Sequence, residues 1–350
     1  MHTATLSIDL SALAENYRFL KNTLNGRLCA AVVKANAYGL GVEAVSQKLW
    51  QEGCRDFFVA TLDEGIELRG ILPEGRIYVF NGLLSGQEKE YATHKLIPIL
   101  NTVEQVARAE NLGMQCALHI DTGMTRLGLN ETETLALTSD SARITRANIK
   151  MVMSHLACAS DPNNPKNTEQ LARFEKAFHA FPPGIAASLA NSSGILLSPD
   201  YHYDLARPGC ALYGIAPTSE NPMKHVATLS APLLQVRECD RDETVGYNGT
   251  YAAKKGSRIA IVALGYADGY LRHLSNNAFA YLGGHKVPVA GRVSMDMIAL
   301  DVSGIPESAL GNRAEFINAQ QTVDDIAKAA GTIGYEIFTR IGRRVKRIYS

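Results

Sequence analysis

The chain has 350 residues, of which 46% are hydrophobic and 20% charged, and its 35 basic and 35 acidic side chains leave a formal net charge of zero. That composition belongs to a folded globular protein and excludes a disordered one, and the even charge argues against nucleic acid or an acidic membrane surface as the main partner. The length exceeds one typical core and suits two domains.

Eight short apolar runs follow one another from the N-terminal side: LCAAVVK (28–34), DFFVA (56–60), IYVFN (77–81), LIPIL (96–100), CALHID (116–121), IKMVMSHL (149–156), AASLAN (186–191) and YDLAR (203–207). Between them lie stretches with helical period, such as VEAVSQKLWQEG (42–53), TVEQVARAENLG (102–113) and NTEQLARFEKAF (167–178). The last is expected to start at the capping residues Asn167 and Thr168, with Glu169 in its first turn. Eight strands alternating with helices predict a (β/α)8 TIM-type barrel over residues 10–222, because a doubly wound sheet usually has about five or six. From residue 223 to 350 the texture changes. SAPLLQVREC, RIAIVALGY, KVPVAGRVSMDMIALDVS and AEFINA read as strands with Gly and Pro turns between them, and TVDDIAKAAG as one short helix, so this part is a mainly β domain. The basic stretch RIGRRVKRIYS (340–350) reads as a solvated tail or an edge strand, with a polyanion contact as the minor alternative.

In a barrel, chemistry gathers at the carboxyl ends of the strands. Lys34 ends the first strand; Asp121 and Arg126, in DTGMTRLG, follow the fifth; Ser154 and His155 end the sixth; Asn191, Ser192 and Ser193 end the seventh; Arg207 ends the eighth, before Pro208 and Gly209. Any one of these is as readily a charge standing where burial stops, but the set is harder to explain that way. The loops after strands seven and eight, NSSG (191–194) and RPGC (207–210), each carry a glycine that lets backbone N–H groups approach an anion, and NSSG adds hydroxyls. Each alone is also a common turn. A lysine at a strand tip across from a phosphate cradle suggests pyridoxal phosphate, whose aldehyde needs an amine, and burial makes such an amine more nucleophilic. Without that context, a lysine at a strand end is a snorkelling surface charge.

Two other readings compete locally. GLGVEA (39–44) satisfies the GxGxxA dinucleotide signature, yet the acidic residue due at the end of the second strand is missing, since DFFVA runs into Thr61 and Leu62 with Asp63 only later. His155 and Cys158 form an HxxC half-site without a second half, so no metal is expected. Six cysteines (29, 54, 116, 158, 210, 239) are scattered without a CxxC pair, which fits a reducing compartment. The N-terminal stretch MHTATLSIDLSAL lacks the basic region and long apolar run of a signal peptide, and no apolar run approaches the ~20 residues that span a bilayer. A cytoplasmic protein is expected.

The motifs AVVKANAYGLG, DTGMTRLG, SHLA, NSSG, LARPG, GYNGTY, LGYADGYLR, GRVSMDM and GYE (334–336) together resemble those of the alanine racemase family of bacterial pyridoxal-phosphate enzymes, from TLSIDLSAL to the basic C-terminal stretch. The resemblance implies interconversion of L- and D-alanine, with D-alanine supplied for peptidoglycan. It implies a pyridoxal-phosphate barrel, a β domain that takes in an N-terminal strand (1–9), and a homodimer with composite active sites. Lys34 is then the lysine that carries the cofactor and one catalytic base, and Tyr247, from the partner subunit, is the other. Tyr38, Ser192, Tyr335 and the backbone of Gly209 and Cys210 correspond to phosphate contacts, with Asn191 in the same cofactor loop. Arg207 corresponds to the arginine facing the pyridine nitrogen, with His155 behind it. Arg126 and the backbone of Met295 correspond to contacts with the substrate carboxylate, and Tyr266 and Asp296 to the lining of the entrance. Three positions depart from the family's pattern. His119 stands where the family often has a carbamylated lysine, Thr125 where glycine is common, and Ser294 where cysteine is common. A pyridoxal-phosphate decarboxylase of similar plan shares the lysine but does not need both Tyr247 and Arg207, and a single-barrel cofactor carrier lacks the β domain.

Overall fold

The computed structural model describes residues 3–350; residues 1 and 2, part of the N-terminal strand expected over 1–9, lie outside the described residues. The chain divides into two compact units, one made of residues 13–37 and 42–223, the other of residues up to 12, 38–41 and 224–350.

In the first unit every one of the eight apolar runs contributes a parallel strand. Seven of them, Ala31–Val32, Asp56–Val59, Arg76–Val79, Ile97–Leu100, Cys116–His119, Ile149–Met153 and Ala186–Ser188, lie side by side in chain order. The eighth, Leu205–Ala206, pairs in parallel with Leu28–Cys29, the beginning of the first run. The seam is completed by the N–H groups of Ala30 and Val32, which donate to the carbonyls of Ala206 and Pro208, and by that of Arg207, which donates to Ala190, each at 2.9 Å. The strands therefore form a closed (β/α)8 ring. Their sequences are apolar without alternation because parallel strands of a barrel are covered on both faces; all four residues of DFFV and of CALH are buried. Phe58 and Tyr78 stack between strands two and three with ring centroids 4.5 Å apart.

The helix after strand two, Leu62–Ile71, begins with a reciprocal cap in which the Thr61 hydroxyl accepts from the Glu64 N–H and the Glu64 carboxylate reaches back. The helix over 167–178 starts earlier than expected, at Lys166, with Pro165 in the cap position. Asn167 and Thr168 are thus inside the helix, not at its cap. Asn167 is buried and donates to the Asp161 carbonyl (2.9 Å), and the Thr168 hydroxyl turns back to Pro165 (3.0 Å). Proline suits that end because it has no N–H to leave unmatched.

The second unit is mainly β. Its sheet runs in the order His285–Pro288, Phe279–Leu282, Arg313–Ile317, Ala227–Glu238, Thr5–Ile8, Lys346–Tyr349, and the long strand Ala227–Glu238 also pairs with Arg258–Val262, which pairs with Ile298–Asp301. KVPVAGRVSMDMIALDVS is therefore two strands with the loop 289–297 between them. The hairpin Glu243–Val245/Tyr251–Ala253, the strand Phe279–Leu282 and the helix Gly334–Arg340 were not apparent from periodicity. The basic stretch resolves as an edge strand, parallel to Thr5–Ile8. Arg347 is turned inward there and donates to the carbonyls of Gly39, Ile341, Gly342 and Val345.

Arg313 fastens the N-terminal strand into this sheet, donating to the Thr5 hydroxyl (2.7 Å) and to the Ser230 carbonyl (2.9 Å). Hydrogen bonds to a charged donor in a half-buried setting contribute about 2 kcal/mol. Arg313→Ala is expected to lower the unfolding free energy by roughly that amount in urea titrations, with partial recovery in Arg313→Lys.

Candidate active site

The barrel places Lys34, Arg126, His155, Asn191, Ser192, Arg207, Gly209 and Cys210 at the carboxyl ends of its strands. Arg207, on the strand that closes the ring, is only 2% exposed. Its guanidinium donates to the Ser188 hydroxyl and to the carbonyls of Ser154 and Leu189, which joins the ends of strands six and seven. Its Nε is buried and has no acceptor among the described residues. Burial pulls its pKa down to about 9, which still leaves it charged at neutral pH.

Burial and that charge act together on the rings around it. His155 is pushed well below the ordinary histidine pKa by burial, then by Arg207 and Arg126, with smaller contributions from His119 and Lys34. His119 falls to about 4 through burial, Arg207 and Arg126, opposed by Asp121. The His119 Nδ1 lies 3.0 Å from Asn101 Oδ1, and the Asn101 amide nitrogen donates to the carbonyls of Phe80 and Ile99, so the Asn101 oxygen accepts and Nδ1 carries the proton. Both rings are neutral at pH 7. Lys34, at the tip of strand one with its Nζ 5.5 Å from the Phe80 ring centroid, has a pKa lowered by burial and then by Arg126, while Glu64 raises it.

Arg126 sits exposed on the loop after strand five. The Asp121 carboxylate gathers the N–H groups of Gly123, Met124 and Thr125 at 2.9–3.1 Å, which curls this loop into a compact turn. Thr125 adopts φ 57°, a conformation that favours glycine. After strand seven, Asn191 caps the helix Ser192–Leu197 through the Gly194 N–H (2.9 Å). The Ser192 hydroxyl accepts from Gly209 (2.9 Å) and Ala211 (3.3 Å), so it ties the loops after strands seven and eight together. The neighbouring Ser193 hydroxyl is committed to the Pro217 carbonyl (2.5 Å).

The other expected residues belong to the second unit. Tyr38 and Tyr335 face each other with ring centroids 5.8 Å apart. Tyr247 is 68% exposed, in the turn Tyr247–Gly249. Tyr266 and Met295 come together because the N–H groups of Tyr266 and Ala267 donate to the carbonyls of Ser294 (3.1 Å) and Met295 (3.0 Å). Gly265 permits this approach, since a Cβ there would lie 2.2 Å from the Met295 oxygen. Arg344 bridges Asp268 (3.0 Å) and Asp296 (2.7 Å). Asp268, at the end of the turn Tyr266–Asp268, is a buried carboxylate that also accepts from the Gly265 N–H (2.9 Å).

A family model described as the alanine racemase N-terminal domain matches residues 8–217, and one described as the C-terminal domain matches residues 226–349. The chain belongs to the alanine racemase family. A relative from Rhizobium meliloti, named alanine racemase, is 45% identical over 99% of this chain and 97% of its own length. Another, from Rhodospirillum rubrum, is 46% identical over 99% and 96%. Among solved structures, the alanine racemase of Bartonella henselae with covalently bound pyridoxal phosphate matches with a TM-score of 0.95 and 37% identity, covering all of both chains. The biosynthetic alanine racemase of Pseudomonas aeruginosa matches at 0.91 and 35%, again over all of both chains.

The family membership and the barrel remove the dinucleotide reading of GLGVEA. A Cβ on Gly39 would lie 2.3 Å from the Phe338 carbonyl, and one on Gly41 would lie 1.9 Å from the Tyr349 hydroxyl, so these glycines make room for the chain itself. Sequence reasoning missed Glu64, Asn101, Thr122, Gln170 and Ser188. Thr122 and Ser154 pair at 2.8 Å, and Gln170 holds both Thr122 (3.2 Å) and the His155 carbonyl (2.9 Å). Only Glu64 left a signal, as the fourth residue of the capping pattern TLDE (61–64).

Because His119 and His155 resist protonation when folded, while an unfolded histidine titrates near about 6.5, the unfolded chain binds more protons in acid. The stability that these rings contribute is full above about pH 6.5 and is lost as pH falls toward about 4. Melting temperatures are expected to drop across that window, and His119→Asn to flatten the drop; an unaltered slope would mean the ring titrates as a free one.

Proposed function

We propose that the protein is a pyridoxal-phosphate-dependent alanine racemase that interconverts L- and D-alanine and supplies D-alanine for peptidoglycan. The observation that carries this is an amine of lowered basicity, Lys34, at the same barrel mouth as a buried arginine whose Nε lacks an acceptor among the described residues. The residues present fit the cofactor. Lys34 offers the amine for its aldehyde, Arg207 Nε a donor for its pyridine nitrogen, and the loops of Asn191, Ser192, Gly209 and Cys210, with Tyr38 and Tyr335, the donors for its phosphate. When bound, the cofactor takes up the charge left at the substrate's α-carbon.

Racemisation needs one base on each face of that carbon. Lys34 exchanges the proton on the D-face and Tyr247 of the partner subunit on the L-face. A phenol titrates near about 10, so a cation must favour its deprotonated form. With His155 neutral, that work falls to Arg207. A guanidinium keeps its protons, so Arg207 donates a hydrogen bond to the ring nitrogen without transferring a proton. Arg126 and the backbone of Met295 orient the substrate carboxylate. His119 offers Arg126 no negative charge, so the Asp121 turn is left to place it. Tyr266, Asp296 and Tyr335 narrow the entrance to a side chain the size of a methyl group. Two copies of the chain make each pair of sites in a homodimer, and the six scattered cysteines, without a CxxC pair, support the cytoplasm as its compartment.

A chiral amino-acid panel on the purified, yellow holoenzyme is expected to give alanine as the fastest substrate, with Lys34→Ala and Tyr247→Phe each slower by about a thousandfold. Refolding those two inactive variants together should restore about a quarter of wild-type activity, because only mixed dimers hold one intact lysine–tyrosine pair. A colourless wild type, or full activity in Lys34→Ala, would sink the assignment.

A further inference from the structure

The backbone after Lys34 takes a path that L-residues avoid. Ala35, Asn36, Ala37 and Tyr38 have φ of 53°, 54°, 51° and 56°, four successive left-handed residues of which none is glycine. Such a run persists only where its surroundings hold it. The Ala37 N–H donates to the Val33 carbonyl (2.9 Å), and the Asn36 side-chain oxygen accepts from Val42 (2.7 Å). A further hold is Glu64. Its Oε1 accepts from the Ala35 N–H (2.7 Å), the first peptide after Lys34, while its Oε2 accepts from Ala60 at the end of strand two (2.7 Å) and more loosely from Thr61 (3.4 Å). One carboxylate thus staples the tip of strand two and the start of the next helix to the turn that begins at Lys34.

We infer that Glu64 is a positioning residue for Lys34, fixing the left-handed turn from which the amine is presented. The inference rests on the reading of Lys34 as the reacting amine. A carboxylate suits the task because both oxygens only accept, matching amide N–H groups on both sides; a glutamine turns one of those contacts into two facing donors. The charged groups acting on the Lys34 amine are Arg126, which discourages its protonation, and Glu64, which favours it. The neutral His155 and the Phe80 ring also stand near it.

The test compares Glu64→Gln with Thr61→Ala in the full-length protein. Thr61→Ala removes the other half of the same helix cap, the hydroxyl that accepts from the Glu64 N–H (3.3 Å). Glu64→Gln is expected to lower kcat/KM for alanine on the order of tenfold or more. It should also move the pH profile of Lys34 acetylation, followed by competitive anhydride labelling and peptide mass spectrometry after removal of cofactor, to lower pH. Thr61→Ala is expected to lower the melting temperature while leaving both readouts at wild type. Wild-type kinetics and labelling in Glu64→Gln would overturn the inference, as would the same losses in Thr61→Ala, since Glu64 would then be a helix cap only. If Glu64→Gln does not fold, Glu64→Asp, which keeps the charge but is too short to span both amides, should show the kinetic loss. Full activity in Lys34→Ala would instead defeat the reading of the amine, and the labelling shift would still report whether Glu64 acts on it.

Discussion

A guanidinium held at 2% exposure, that of Arg207, sets the electrostatics of the barrel mouth. Removing such a charge from water costs several kcal/mol, and the Ser188 hydroxyl and the Ser154 and Leu189 carbonyls offset only part of it. The fold accepts the cost at the seam where the last strand meets the first, and the consequence spreads to its neighbours. Protons leave His119 and His155 first because burial penalises a charged ring, and then because a second positive charge beside Arg207 and Arg126 is repelled. Burial, and after it the Arg126 charge, weakens the hold of Lys34 on its proton. The mouth therefore combines fixed cations with neutral bases. Such a cavity favours ligands that bring negative charge, which a phosphate and a carboxylate both do.

The second unit treats its basic residues in the opposite way. Arg344 answers a buried carboxylate, Asp268, and an exposed one, Asp296, and Arg347 is consumed by backbone carbonyls. The stretch that looks in sequence like a polycationic tail has two of its arginines committed to holding loops and turns in register. What charge pairing does there, missing Cβ atoms do nearby. Gly265 and Gly269 let backbone segments meet at distances that any side chain would block.

The barrel was legible because its strands are buried on both faces and so read as unbroken apolar runs, and Lys34 stood out as the interruption at the end of one. The second unit was less legible. Its hairpin Glu243–Val245/Tyr251–Ala253 is too short to show a period, and the helix Gly334–Arg340 opens without a side-chain cap. Within the site, contacts between residues far apart in sequence were invisible in principle. Glu64 could be read as a cap, but its bond to Ala35 exists only because strands one and two lie side by side, and the His119–Asn101 pair depends likewise on the pairing of strands four and five. The roles of Tyr38, Tyr247 and Met295 came from family resemblance alone; no pattern of residue types singles them out.

The strand Thr5–Ile8 lies between Ala227–Glu238 on one side and Lys346–Tyr349 on the other. A ribosome therefore makes this strand long before either of its partners. At about 5–20 residues per second, roughly 220 residues and on the order of ten to forty seconds separate it from its first neighbour, and the second comes later still. The barrel residues, through 223, have all been made before then. During that interval the apolar segment TLSI has both edges bare, the state in which a strand pairs with whatever other edge is at hand. Nascent chains of this protein are thus exposed to mispairing at this strand, and the hazard ends only when Lys346–Tyr349 arrives.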